Sequence, residues 1–202
     1  MDANEQWKNL FDMDVLKDSI QMVALYVTVY ELLESTVVSK PKDFYTVIDW
    51  DDKAKREYRE HVLSLYDPKA IPGINGRRKD IICSLLWFKQ SGAIDDDDLR
   101  VFVASKQLRN TLAHNMFQAI AEGGSKLVKQ FTQMYALFCK IERWWIMEIE
   151  LPISGEYEPD KVDADGVQSG HMVVLNCILD ILANNSNAKY KDICDTLGVP
   201  VK

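Results

Sequence analysis

The sequence lacks a surplus of basic residues. Its 24 lysines and arginines are outnumbered by 31 aspartates and glutamates, which gives a formal net charge of -7 at pH 7. Proteins that coat nucleic acid by bulk electrostatics need clustered positive charge to neutralise the phosphates. The composition excludes that class of protein, and any nucleic-acid site must be local.

Cysteine is scarce, and its four copies lie far apart in the sequence, at Cys83, Cys139, Cys177 and Cys194. Zinc sites and thiol redox motifs need closely spaced cysteines. The spacing therefore predicts four free thiols in a reducing cytosol. We expect neither a metal nor any other cofactor.

A long apolar run is also missing. The longest, MVALYVTVY at 22–30, is much shorter than the roughly 20 residues that span a bilayer. The N-terminal segment MDANEQWKNLFDMD is acidic and polar, whereas a secretion signal is basic and then apolar. We expect a cytoplasmic protein that has no membrane partner.

Segments of alternating polar and apolar residues are almost absent, and apolar residues recur instead at helical spacing. The first such face comprises Leu16, Ile20, Val23, Val27, Tyr30 and Val37. Lys40-Pro41 is expected to end that helix. Further helices are predicted over 51–66, 77–90, 95–121, 125–149, 172–182 and 190–197, and AIPGING at 70–76 is expected to be irregular. The pattern predicts an all-α protein with at most a short strand pair near 43–50.

Helix-breaking residues divide the sequence into two helical regions and a connecting segment. Residues 152–166 carry proline, glycine and acidic residues with little periodicity, which is typical of a loop or linker. We expect a helical bundle over 1–151, an acidic loop or linker over 152–168 and a short C-terminal helical appendage over 169–202. Within the appendage, KYKDICDTLGVP at 189–200 resembles the start of a helix-turn-helix, but the sequence stops where a recognition helix would begin. A docking role is therefore favoured over DNA reading.

Four consecutive aspartates, 95–98, allow two interpretations. Clustered carboxylates resemble a metal site. In a first helical turn, carboxylates also cap free backbone N–H groups and oppose the helix dipole. We expect a helix cap here.

The stretch QLRNTLAHNM at 107–116 places three polar side chains in an otherwise amphipathic helix. Asn110 and His114 are four residues apart and share a face, whereas Arg109 and His114 are about 140° apart. One interpretation is a satisfied core, in which Asn110 and His114 hydrogen-bond each other or a neighbouring helix while Arg109 extends to water. The other is a reactive cleft.

The order of these residues resembles the signature of the HEPN superfamily (higher eukaryotes and prokaryotes nucleotide-binding). That motif is an arginine, usually followed by a polar residue, and then a histidine after a gap of four to six residues. Here the gap is four and the polar residue is Asn110. A long first helix, an irregular segment, the motif helix and a further amphipathic helix are together similar to the HEPN helical bundle over roughly 10–150. The last fifty residues or so and the segment 40–75 are not covered by the resemblance.

The resemblance implies a metal-independent endoribonuclease of the toxin or antiviral-defence type, with two motif helices of a homodimer forming one cleft for RNA. His114 would transfer protons at the ribose 2′-hydroxyl and the leaving 5′-oxygen, Arg109 would hold the scissile phosphate, and Asn110 would orient His114 or the RNA. Lys106 and Arg100 are expected to bind RNA beside the motif.

An antitoxin or another defence-system protein is a further expected partner of such an enzyme. Family membership alone does not establish activity. A non-catalytic HEPN-like module that binds nucleotide, RNA or protein, and a helical scaffold with a chance motif, remain the alternatives.

Overall fold

The computed structural model describes residues 3–45, 51–121, 125–154, 163–185 and 188–200, and these ranges contain helices and connecting segments without a β-strand. This confirms the all-α prediction. Residues 43–45 are helical, and the rest of the predicted strand pair, 46–50, lies outside the described residues. The helices are α1 (Ala3–Phe11), α2 (Met13–Tyr45), α3 (Asp52–His61), α4 (Lys79–Gln90), α5 (Asp96–Ala121), α6 (Ser125–Trp145), α7 (Leu151–Ser154), α8 (Gly170–Asn185) and α9 (Ala188–Leu197).

Helix α2 is the central element of the bundle and packs against α4, α5 and α6. Of the face predicted for it, Val23, Tyr30 and Val37 are buried, whereas Ile20 is 48% exposed. The buried side of α2 also includes Met22, Tyr26, Val29 and Leu33. Because α2 is apolar over a wide arc, spacing alone did not decide which side faces the core.

The prediction that Lys40-Pro41 ends this helix is wrong, because α2 continues through a buried Pro41 to Tyr45. Proline removes one backbone hydrogen bond from a helix interior. The turn beyond it packs well, with the Phe44 ring 5.7 Å from that of Trp87 and Tyr45 stacked on His61. Aromatic packing of this kind offsets the lost hydrogen bond.

Helix α2 is also long and apolar enough to cross a membrane by length and composition. Half of its most apolar window is buried inside the bundle, and the core helix of a soluble protein has the same properties. The expected cytoplasmic location therefore stays a prediction.

The aspartates before α5 cap that helix. Asp95 Oδ1 accepts hydrogen bonds from the backbone N–H groups of Asp97 and Asp98 at 2.8 and 3.0 Å, and Asp98 Oδ2 accepts one from Asp95 N–H at 2.9 Å. The hydrogen bond from the Asp98 backbone holds the pKa of Asp95 below its ordinary value. The geometry confirms the cap.

The irregular segment 70–76 lies against α5, as Gly73 shows. Its φ of 93° lies in the left-handed region, and an added Cβ would come within 2.5 Å of Val103 Cγ1. Only glycine meets both conditions without strain. This contact helps to fix α5 in the bundle.

The two predicted C-terminal helices are present as α8 and α9, and α9 packs against α6. Leu175, Leu179 and Ile193 are buried and belong to the same apolar core as the bundle. Tyr135 Oη on α6 donates a hydrogen bond to Asn176 Oδ1 on α8 at 2.6 Å. The C-terminal helices therefore share the core of residues 3–154.

Candidate functional site

Helix α5 presents the three motif side chains to solvent. Asn110 and His114 are exposed, and the Arg109 side chain is 35% exposed. The buried residues of α5 include Phe102, Ser105 and Leu112. The satisfied-core interpretation requires Asn110 and His114 to be buried, so it does not fit the structure.

A kink follows the motif directly. Asn115 has φ -131° and ψ 36°, which interrupts the helical backbone of α5. Beyond it, Met116 and Phe117 are 47% and 71% exposed. Angles between faces derived from regular helix geometry therefore hold up to His114 and not beyond it.

Arg109 forms an ion pair with Glu31 of α2. Arg109 Nε donates a hydrogen bond to Glu31 Oε1 at 2.7 Å, and Nη2 donates to the same oxygen. Arg109 Nη1 also donates to Asn110 Oδ1 at 3.5 Å. The described contacts thus join Arg109 to Glu31 and Asn110, and they include none between Arg109 and His114.

Sequence reasoning missed Glu31. The signal available was its position, because Glu31 and Glu34 interrupt the apolar sequence of α2 between Val15 and Val38. A charged residue on a helix otherwise bound for the core needs a partner. The sequence does not reveal that the partner of Glu31 lies 78 positions away.

One turn further along α2, Glu34 gathers three donors. Arg78 Nη2 donates to Glu34 Oε1 at 2.7 Å, Lys106 Nζ lies 3.4 Å from Oε2, and Tyr30 Oη donates to Oε2. Burial alone would raise the pKa of Glu34, but the hydrogen bonds from Tyr30 and Arg78 and the charge of Lys106 outweigh it and lower that pKa. Burial and the neighbouring carboxylate raise the pKa of Tyr30 above its usual range. Glu34 is therefore a carboxylate that links Arg78, Lys106 and Tyr30 in one network of hydrogen bonds and ion pairs.

Glu31, Glu34 and Arg78 border a groove of about 310 Å³ between α2 and the start of α4. Its lining residues are Glu31, Glu34, Ser35, Val38, Ser39, Arg78 and Asp80. Together with Lys106 and Arg109, the groove region carries three carboxylates and three cationic side chains. Positive and negative charges are balanced there, within an acidic protein.

Lys106 and Arg100, the two residues predicted to bind RNA beside the motif, lie in different surroundings from each other. The Lys106 side chain is only 13% exposed and pairs with Glu34. Arg100 is 71% exposed, pairs with Asp97, and lines a separate groove of about 460 Å³ with Leu99 and Val103. Nine residues separate Arg100 from Arg109, which places them about 180° apart on a helix. The structure therefore brings Lys106 near the motif but directs it toward Glu34, and it places Arg100 in a separate groove, about 180° around α5 from Arg109.

Within the described ranges, no group of three or more His, Cys, Asp or Glu side chains is placed to hold a metal ion. No protein family model matches the chain, and the comparisons with curated proteins and with solved structures likewise find no match. The resemblance to the HEPN superfamily accordingly depends on the motif residues and on their helical context.

Proposed function

We propose that the protein is a metal-independent endoribonuclease of the toxin or antiviral-defence type, in which Arg109, Asn110 and His114 act on RNA at a cleft between two copies of the chain. The observation that carries the proposal is the exposure of the motif on α5. An imidazole, an amide and a guanidinium group lie at the surface within about two turns of one helix. Side chains that only served the core would be buried instead.

The proposed chemistry is transfer of the phosphoryl group to the ribose 2′-oxygen. His114 removes the proton of the 2′-hydroxyl, and the 2′-oxygen forms a bond to the neighbouring phosphorus. The bond from phosphorus to the 5′-oxygen breaks, and an imidazolium returns a proton to that leaving oxygen. Arg109 stabilises the charge that develops on the non-bridging oxygens. The products are a 2′,3′-cyclic phosphate and a 5′-hydroxyl end.

A second copy of the chain allows Arg109 and His114 to meet, which they cannot do on one helix. Arg109 and His114 are about 140° apart on a regular helix. When two α5 helices face each other across a two-fold axis, Arg109 of one protomer can meet His114 of its partner. The exposed Met116 and Phe117 next to the motif provide apolar surface for such a contact.

The charge balance of the groove favours a second candidate function, that of a non-catalytic HEPN-like binding module. Arg109 is already paired with Glu31, so a single chain presents little net positive charge to RNA. Such a module would bind a nucleotide, RNA or a protein partner without cleaving RNA.

Incubation with a mixture of cellular RNAs, in EDTA and in magnesium, separates the two functions. The enzyme should cleave in both buffers and leave 2′,3′-cyclic phosphate ends. His114→Ala and Arg109→Ala should reduce cleavage by about 10²-fold or more, and Arg109→Lys should restore little of it because an ammonium cannot reproduce a forked contact. RNA that is bound but not cut supports the binding module, and protein that neither binds nor cuts RNA contradicts the enzyme.

A further inference from the structure

The ion pair between Glu31 and Arg109 occupies only one edge of the guanidinium group. Nε and Nη2 donate to a single oxygen, Glu31 Oε1, and Nη1 donates to Asn110 Oδ1. An arginine side chain carries five N–H donors. Three of them are used in these contacts, so two are left, one on each Nη nitrogen.

The free hydrogen on Nη2 lies at the end of the side chain. Because Nε and Nη2 reach the same oxygen of Glu31, Nη2 must use the hydrogen that faces Nε. Its other hydrogen therefore points toward the Nη1 side. A donor in this position suits an oxygen of a phosphate group.

We infer that Glu31 is a positioning residue, whose carboxylate holds the Arg109 guanidinium so that its terminal N–H groups face the phosphate of the RNA substrate. This inference rests on the proposed function. It adds to the site a residue of α2, which lies outside the motif.

The support for Glu31 is rigid, whereas the pair itself adds little to the fold. Its neighbours on α2, Tyr30 and Leu33, are buried at 2% and 0% exposure. Glu31 is 50% exposed, and half-exposed ion pairs are screened by water. An arginine that is ordered before RNA arrives loses less rotamer freedom on binding. We therefore expect Glu31 to affect turnover rather than stability.

Removal of Glu31 has two opposing effects, because its negative charge also repels phosphate. Glu31→Gln and Glu31→Ala remove the same charge, but only glutamine keeps an oxygen that can accept from Nε and Nη2. The difference between these two variants measures positioning at constant charge.

Asp97 offers a matched control on α5. It pairs with Arg100, and its side chain is 80% exposed. Asp97→Asn and Asp97→Ala change the net charge of the protein by the same amount as the two Glu31 variants, but they leave Arg109 untouched. The measurements are kcat and KM for RNA cleavage in EDTA, together with the thermal melting temperature.

The kcat of Glu31→Ala should be about tenfold or more below that of Glu31→Gln, since small errors in the placement of a catalytic group are costly. The KM of Glu31→Ala should be equal to or higher than that of Glu31→Gln, and the melting temperatures of the two variants should agree closely. The two Asp97 variants should be equal in all three quantities. Equal kcat values for the two Glu31 variants would overturn the inference, and the proposed function would still stand if the wild type cleaves and His114→Ala does not.

If the wild type cleaves no RNA, the proposed function fails and the same variants are compared in binding. The probe is an unmodified RNA oligonucleotide, and its binding is followed by fluorescence anisotropy. Weaker binding by Glu31→Ala than by Glu31→Gln, with weaker binding by Arg109→Ala than by the wild type, supports positioning of Arg109 for phosphate. Equal affinities of the two Glu31 variants overturn it.

Discussion

His114 lies at the surface of α5, whereas Leu112, two residues earlier, is 1% exposed. Removal of a surface side chain usually changes the free energy of unfolding by less than about 0.5 kcal/mol. His114→Ala should therefore leave stability nearly unchanged, while RNA cleavage falls by about 10² to 10⁴-fold, the typical contribution of a general acid–base. Urea unfolding and a cleavage assay check the two outcomes.

His171→Ala is the control for this prediction, because His171 is also an exposed histidine but lies on α8. It should change neither stability nor cleavage. A markedly unstable His114→Ala variant with unaltered cleavage would argue against chemistry at this residue.

The network around Glu34 predicts a pH-dependent stability. Its pKa is lowered in the folded protein, so the unfolded chain takes up a proton first as the pH falls. The stabilisation from Glu34 should be complete above the ordinary glutamate pKa of about 4.3 and should disappear as the pH falls through the lower folded value. The difference in unfolding free energy between the wild type and Glu34→Gln, measured by urea unfolding as a function of pH, should shrink over that interval.

Glu60→Gln serves as the control for Glu34, because Glu60 is an exposed glutamate on α3. The unfolding free energy of Glu60→Gln should stay close to that of the wild type over the whole pH range. A wild-type advantage over Glu34→Gln that is constant from about pH 7 to about pH 3 would contradict the prediction.

At the scale of secondary-structure elements, the segment 70–76 and α5 meet at Gly73. A Cβ at this position would lie 2.5 Å from Val103 Cγ1 and 3.2 Å from Gln107 Nε2. Gly73→Ala should cost about 1 to 2 kcal/mol for the left-handed backbone and about 1 to 3 kcal/mol more for overpacking. Urea unfolding measures the sum.

Gly92 provides the matched control, since its φ is 77° and an added Cβ meets nothing within 4 Å. Gly92→Ala should show only the backbone cost. Val103→Ala placed in the Gly73→Ala background should recover part of the loss. Equal destabilisation by the two single glycine variants would mean that the contact with α5 is not tight.

At the scale of the whole molecule, the proposed dimer gives a direct prediction. Light scattering should report about twice the chain mass of 23.2 kDa at micromolar concentration. Phe117→Asp should produce a folded monomer, because Phe117 is 71% exposed beside the motif and a buried charge there would separate two α5 helices.

Ile181→Asp is the control for the dimer prediction, since Ile181 is 58% exposed on α8 rather than α5. It should leave the mass unchanged. A wild-type mass close to that of one chain would count against the composite cleft.

The sequence by itself determined the features that depend on near neighbours along the chain. Helical periodicity predicted the all-α fold and the end of the fourth helix at residue 90, and the aspartates at 95–98 predicted a cap. The cap hydrogen bonds connect residues at most three positions apart. Such contacts can be read from local spacing because the helix itself brings these groups together.

Only the tertiary structure decided the features that depend on how helices pack. Helix α2 continues past Pro41 because Phe44 and Tyr45 pack against aromatic rings of other elements. The packing of α5 also leaves the motif exposed to solvent. It brings Arg109 against Glu31, which is 78 residues away in the sequence. Helical spacing can show that Arg109, Asn110 and His114 lie near one another, but which neighbouring helix faces them is set by the packing of the whole core.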